Sequence, residues 1–195
     1  PLKPLIAIPT TAGTGSEMQS FALIADDKTH RKMACGDPKA SPRAALLDPK
    51  LTLTQPRRVT ACSGIDAVAH AVESAVTTRR TDVSTIFARR AFALTNQAFA
   101  RVMSDPNDLE ARGRMLLGAA YAGIAIESSM LGAAHAAANP LTARYGIIHG
   151  HAVGIMLPHV VRYNAQNAES RATYASMMLC ADDAHAGELL ATRLG

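Results

Sequence analysis

Residues 63–73 read Ser63-Gly64-Ile65-Asp66-Ala67-Val68-Ala69-His70-Ala71-Val72-Glu73, and this stretch decides how the rest of the chain is read. It lies inside a longer segment, Pro56 to Val76, in which Val59, Ile65, Val68, Ala69, Val72 and Val76 recur at helical spacing. A helix is therefore expected there. Asp66 and His70 are four residues apart, so their side chains share one helix face, one turn from each other. A carboxylate and an imidazole so placed can grip a single ion. An Asp-x3-His pair by itself is a weak signal, and such pairs are usually surface or capping residues. Here, however, Ala67-Val68-Ala69 separates the two groups, and burying them in such company without a partner is costly.

C-terminal to this segment the pattern stays helical. Thr81 to Met103 is a second helix. Asp105-Pro106-Asn107-Asp108 stops it, and Asp108 is placed to cap a third helix over Leu109 to Met130. Gly132 to Asn139 is a short Ala-rich segment expected to break at Pro140. His149 to Tyr163 follows, with Pro158 as a kink or end, and then Ala172 to Ala181 and Ala184 to Leu194. N-terminal to residue 51 the pattern is that of strands. Leu5 to Thr11, Phe21 to Ala25, Arg31 to Cys35 and Arg43 to Pro49 are short apolar or β-branched runs, with a polar turn at Asp26 to His30. The expected architecture is an α/β fragment over residues 1–50 followed by an all-α domain over residues 51–195.

The chain has 195 residues, 48% of them hydrophobic and 18% charged, and about a fifth are alanine. This is a helix-forming composition able to bury a core, and it excludes a disordered tail. No uncharged apolar run is long enough for a membrane span. The net charge of +4 comes from scattered pairs such as Arg57-Arg58 and Arg89-Arg90 among acidic residues. With no Trp and no aromatic interleaving, a nucleic-acid partner is not expected. Cys35, Cys62 and Cys180 are odd in number and lack metal spacing, which fits reduced thiols in a cytoplasmic protein. The chain opens on a strand-like run without a signal-peptide pattern and closes on a helix, so it is expected to be a piece of something longer.

Two further histidines can complete the Asp66–His70 pair. His135 lies in the Ala-rich segment, and His149 stands where a new helix begins. Three imidazoles and a carboxylate suit Fe(II), Zn(II) or Mn(II). A second motif, Pro9-Thr10-Thr11-Ala12-Gly13-Thr14-Gly15-Ser16-Glu17, follows the first strand. Its glycines could let backbone approach a phosphate or ribose, and its threonines could donate hydrogen bonds. It lacks the lysine of a P-loop and the full dinucleotide fingerprint, so a plain Thr/Gly turn is an equal reading.

The run Ala7 to Glu17 resembles the hallmark of the iron-containing (group III) alcohol dehydrogenases. Asp48 to Thr52 and Gln55 to Ala61 resemble that family's domain junction, and Ser63 to Glu73 its first metal-binding helix. Gly132 to His135, His149-Gly150 and Met156 to Asn164 resemble its second signature. The resemblance implies a dehydroquinate synthase-like two-domain architecture, truncated here. Residues 1–50 would be the C-terminal part of an α/β NAD(P)-binding domain, and residues 51–195 an incomplete helical metal-binding domain. It assigns Asp66, His70, His135 and His149 to the metal, and Thr10, Thr11, Gly13, Thr14 and Lys32 to the cofactor. The position four after the third ligand, often His in relatives, is Asn139, which leaves Asn139 and His151 as candidates for a proton relay.

The implied activity is reversible hydride transfer between a primary or small alcohol or aldehyde and NAD or NADP. The substrate oxygen would lie at Fe(II), or alternatively Zn(II), in a homo-oligomer such as a dimer. A glycerol dehydrogenase- or maleylacetate reductase-like enzyme is the nearer alternative. A metal-dependent hydrolase, or a non-catalytic fragment, is the more distant one.

Overall fold

A computed structural model describes residues 3–27, 32–181 and 183–195. Among these, four short strands precede seven helices, so the chain is an α/β fragment followed by a helical domain. Strand β1 (Ile6–Ala7) pairs in parallel with β4 (Ala44–Ala45), and β2 (Phe21–Ala25) pairs antiparallel with β3 (Lys32–Gly36). The two pairs form separate sheets. β1 and β4 are far shorter than the apolar runs that predicted them. Ladder formation needs a neighbour, and Leu5, Ile8 and Leu46 flank the paired residues with exposed side chains and, among the described residues, no further strand beside them.

Helix α1 (Arg57–Val76) is the axis of the helical domain. Every residue from Asp66 to Ala75 is buried, so the helix is wrapped on all sides, chiefly by α2 (Asp82–Ser104), α3 (Leu109–Glu127) and α5 (His149–Asn164). Small side chains make this possible. Gly150 has no room for a Cβ, which would stand 2.0 Å from the Cys62 carbonyl oxygen, so α5 rests directly on the backbone of α1. Thr81 caps α2 in a reciprocal box with Ser84, and Asp108 caps α3 through Ala111 N, as its position predicts.

Helix α4 (Ala133–Tyr145) runs through Pro140 instead of breaking there. The carbonyl freed by the missing N–H belongs to Ala136, and both residues are exposed, so water can satisfy it. Pro158 likewise sits inside α5 without ending it. Helix α6 (Ala168–Met178) starts four residues earlier than expected, because Asn167 caps it through Ser170 N. The chain closes with α7 (Ala186–Leu194). The main core gathers Val68, Val72, Phe92, Val153, Leu157, Tyr174 and Leu190, all from helices. No disulfide joins the cysteines, and no described helix is long and apolar enough to cross a membrane.

Candidate metal centre

The stripe of α1 that carries Asp66 and His70 faces the first turns of α4 and α5. Asp66 Oδ1 lies 3.5 Å from His70 Nε2, 3.2 Å from His135 Nε2 and 3.9 Å from His149 Nε2. The rings of His70 and His135 stack with centroids 4.7 Å apart, and His149 tilts against His135 at 5.3 Å. Ligand atoms of Asp66, His70 and His135 all lie within 4.8 Å of one another. Donors about 2.0–2.2 Å from a tetrahedral ion stand about 3.4 Å apart, a value these separations bracket. The donor set therefore fits a divalent first-row ion. Asp66, His70 and His135 are buried, whereas the His149 side chain keeps 28% of its surface and marks the open side.

The electrostatics of the metal-free cluster follow from burial and mutual charge. Burial pushes the Asp66 carboxyl up, but the imidazoles of His70, His135 and His149 outweigh it and hold it at about 2. Burial lowers His70 to about 4 against the pull of Asp66. Burial also opposes charge on His135, yet hydrogen bonding to Asp66 and Glu73 raises it to about 9. These contacts favour an ionised Asp66 beside a protonated His135, and an ion taken up at these atoms would displace that proton.

One buried group in this neighbourhood escaped the reading of the sequence. Glu73 takes Nδ1 of His135 on one carboxylate oxygen and Ala134 N, at 2.6 Å, on the other. Its only sequence signal is its place on the Asp66–His70 stripe, seven residues after Asp66. The relay candidates do not join the cluster. His151 is two residues from His149 on the same helix, hence on its opposite side. It lines a groove of about 560 Å³ with Cys62, Ile155, His159 and Arg162. Asn139 is exposed, one turn beyond His135.

The Thr/Gly loop packs against the same helical domain. A Cβ on Gly13 would stand 2.5 Å from Ser63 Cβ, and one on Gly15 would stand 2.7 Å from the Ala119 carbonyl oxygen and from Gly123 Cα. Gly15 also needs its positive φ of 62°. Close packing against α1 and α3 already accounts for both glycines. Thr10 and Thr14 are exposed, and Thr11 is half-buried over a cavity of about 20 Å³ beside Thr60 and Ser63. Ser20 N donates to Glu127 at 3.1 Å and fastens the end of the loop to α3. Lys32 heads β3, but its side chain lies outside the described part of the structure.

Comparison with known proteins gives a consistent picture. Residues 60–193 match the C-terminal family model of Fe-containing alcohol dehydrogenases, and residues 1–49 match that of iron-containing alcohol dehydrogenase. An aldehyde-alcohol dehydrogenase 2 of Entamoeba histolytica is 39% identical over 171 residues, which is 87% of this chain and 19% of that protein. The NAD-dependent methanol dehydrogenase of Bacillus methanolicus is 36% identical over 84% of this chain and 43% of its own length. Among solved structures, an alcohol dehydrogenase from Oenococcus oeni superposes with a TM-score of 0.92 at 32% identity, over 100% of this chain and 52% of that one. A 1,3-propanediol oxidoreductase has the same TM-score at 31% identity, over 100% of this chain and 52% of its own. The chain spans about half the length of these solved relatives and less of the two sequence relatives.

Proposed function

The chain belongs to the iron-containing alcohol dehydrogenase family, and from that membership we propose that it serves a metal-dependent, NAD(P)-linked oxidation of a small primary alcohol, run reversibly. The observation that carries this reading is the convergence of Asp66 Oδ1 with the Nε2 atoms of His70 and His135 in one buried pocket. Fe(II) held there, or alternatively Zn(II), supplies Lewis acidity toward an alcohol oxygen. The relatives named above as methanol dehydrogenase and 1,3-propanediol oxidoreductase support a short alcohol as substrate.

The chain's own residues account for the rest. Asp66, His70 and His135 form the dry floor of the site. His149, the most exposed of the four, closes the ligand set from the side where an alcohol enters. The Thr10–Thr14 loop is the cofactor element of this reading. Gly13 anchors it at Ser63, three residues before Asp66, or about 4.5 Å along the axis of α1. One helix thus sets the distance between cofactor loop and metal ligands, which is what orienting two reactants requires.

The test is metal analysis and NAD(P)-linked alcohol oxidation by the purified protein, with His135→Ala beside it. Wild type is expected to contain stoichiometric metal and to reduce NAD or NADP with a short primary alcohol. The variant is expected to lose both properties. Unchanged occupancy and turnover in His135→Ala would overturn the assignment. Titration of NADH fluorescence separates this reading from a metal-dependent hydrolase, which would leave the signal unchanged.

A further inference from the structure

We propose that Glu73 is a positioning residue for the metal centre, fixing the height, ring orientation and tautomer of His135 from a neighbouring helix. This rests on the reading of Asp66, His70 and His135 as metal ligands.

Asp66, His70 and Glu73 occupy positions i, i+4 and i+7 of α1, a single stripe that faces α4. The first two meet the ligand atoms, and the third passes behind them to the far side of the His135 ring. Glu73 is 2% exposed, and no lysine or arginine pairs with it among the described residues. A buried carboxylate is an expensive group to keep without a role. Both oxygens are used: Oε1 accepts from Ala134 N at 2.6 Å, and Oε2 meets His135 Nδ1. Gly132 makes room for it, since a Cβ there would stand 2.8 Å from Oε1.

Helix capping alone does not explain this arrangement. Gly132, the N-cap of α4, provides no side-chain cap, and Glu73 supplies one from another helix. A Ser or Asn at position 132 would do that locally, without burying a charge. What a local cap cannot do is reach the His135 ring. A carboxylate only accepts hydrogen bonds, so the Nδ1 it meets must carry the proton. The lone pair of neutral His135 is then confined to Nε2, the atom 3.2 Å from Asp66 Oδ1. The same carboxylate ties the first turn of α4 to α1, so the ligands from two helices are held in one frame.

The discriminating variant is Glu73→Gln. An amide has one acceptor oxygen and one donor nitrogen, whereas Ala134 N and His135 Nδ1–H both require acceptors. If the oxygen serves Ala134, the NH2 group faces Nδ1 and drives the ring proton to Nε2, toward the ion. The reverse orientation sets NH2 against the Ala134 N–H. Zn(II) affinity is measured on the purified, metal-stripped protein by competition with a fluorescent chelator. Ring 15N shifts of the zinc-loaded protein report the tautomer.

Glu73→Gln is expected to bind Zn(II) about 10- to 100-fold more weakly, with His135 no longer uniformly Nδ1–H. In the double variant with His135→Ala, the two losses should not add, because Glu73 acts through that ring. Wild-type-like affinity in Glu73→Gln, or losses that add fully in the double variant, would overturn the inference. Failure of the wild type itself to bind Zn(II) would instead sink the metal-centre reading, and this inference with it.

Discussion

The helical and strand regions treat their apolar residues in opposite ways. In the helical region, Ala69, Ala71, Val72, Leu157 and Val161 are completely buried, and five helices, α2 to α6, close around α1. In the strand region, Ile6 is 60% exposed and Leu23 65% exposed, although both belong to strands. The first region carries its own core, and that core encloses the candidate ligands. The second presents strand surface that nothing described here covers. The candidate metal centre is therefore built within the self-sufficient region, and the proposed cofactor loop is anchored to that same region, whereas the strands flanking the loop keep exposed apolar faces.

That contrast can be broken most directly at Leu157. Leu157→Ala removes a fully buried side chain and is expected to cost about 2–5 kcal/mol in denaturant unfolding. A loss below 1 kcal/mol would mean that the helical core is not as closed as described.

A second test uses pH on the metal-free protein. Lowering of His70 to about 4 means that its stabilising effect is present above 6.5 and lost as pH falls toward 4. Raising of His135 to about 9 means the converse: its effect is present below 6.5 and lost as pH rises through 9. Stability should peak near pH 6.5 and fall by up to about 3 kcal/mol on either side. Urea midpoints at pH 4, 6.5 and 9 measure this, and a flat profile would uncouple the cluster from the helical core.

Gly150→Ala probes the joint between α1 and α5. It is expected to cost about 1–3 kcal/mol, because the new Cβ must displace the backbone at Cys62. It should also weaken Zn(II) binding, since His149 is the adjacent residue. The smallest effect is expected from Leu23→Ala, within about 0.5 kcal/mol by the same unfolding assay. A cost approaching that of Leu157→Ala would erase the distinction between the regions.

Much of this centre is legible from local pattern. Asp66 and His70 share a helix face by spacing alone, and His135 draws attention because its neighbours are alanines. What joins them is not local: Asp66 and His135 meet across 69 positions of chain, and Glu73 meets His135 across 62. Glu73 looks like an ordinary helix acid until α4 is docked against α1. Pro140 misleads for a related reason: the carbonyl it frees, at Ala136, lies on the exposed side of α4, which only the docked helix reveals. Strand lengths were overestimated at β1 and β4 because apolar, β-branched runs report a willingness to pair and not the presence of a partner.

The loop between β1 and β2 has a mechanical consequence. By sequence it belongs with the strands, yet Gly13 rests on Ser63, Gly15 meets Gly123, and Ser20 is tied to Glu127. Residues 13–20 are thus riveted to α1 and α3. If the strand region rocks against the helices, the pivots must fall before residue 13 and after residue 20. The Thr14 hydroxyl then travels with the ligand-bearing helices, while Ile6 and Leu23 travel apart from them.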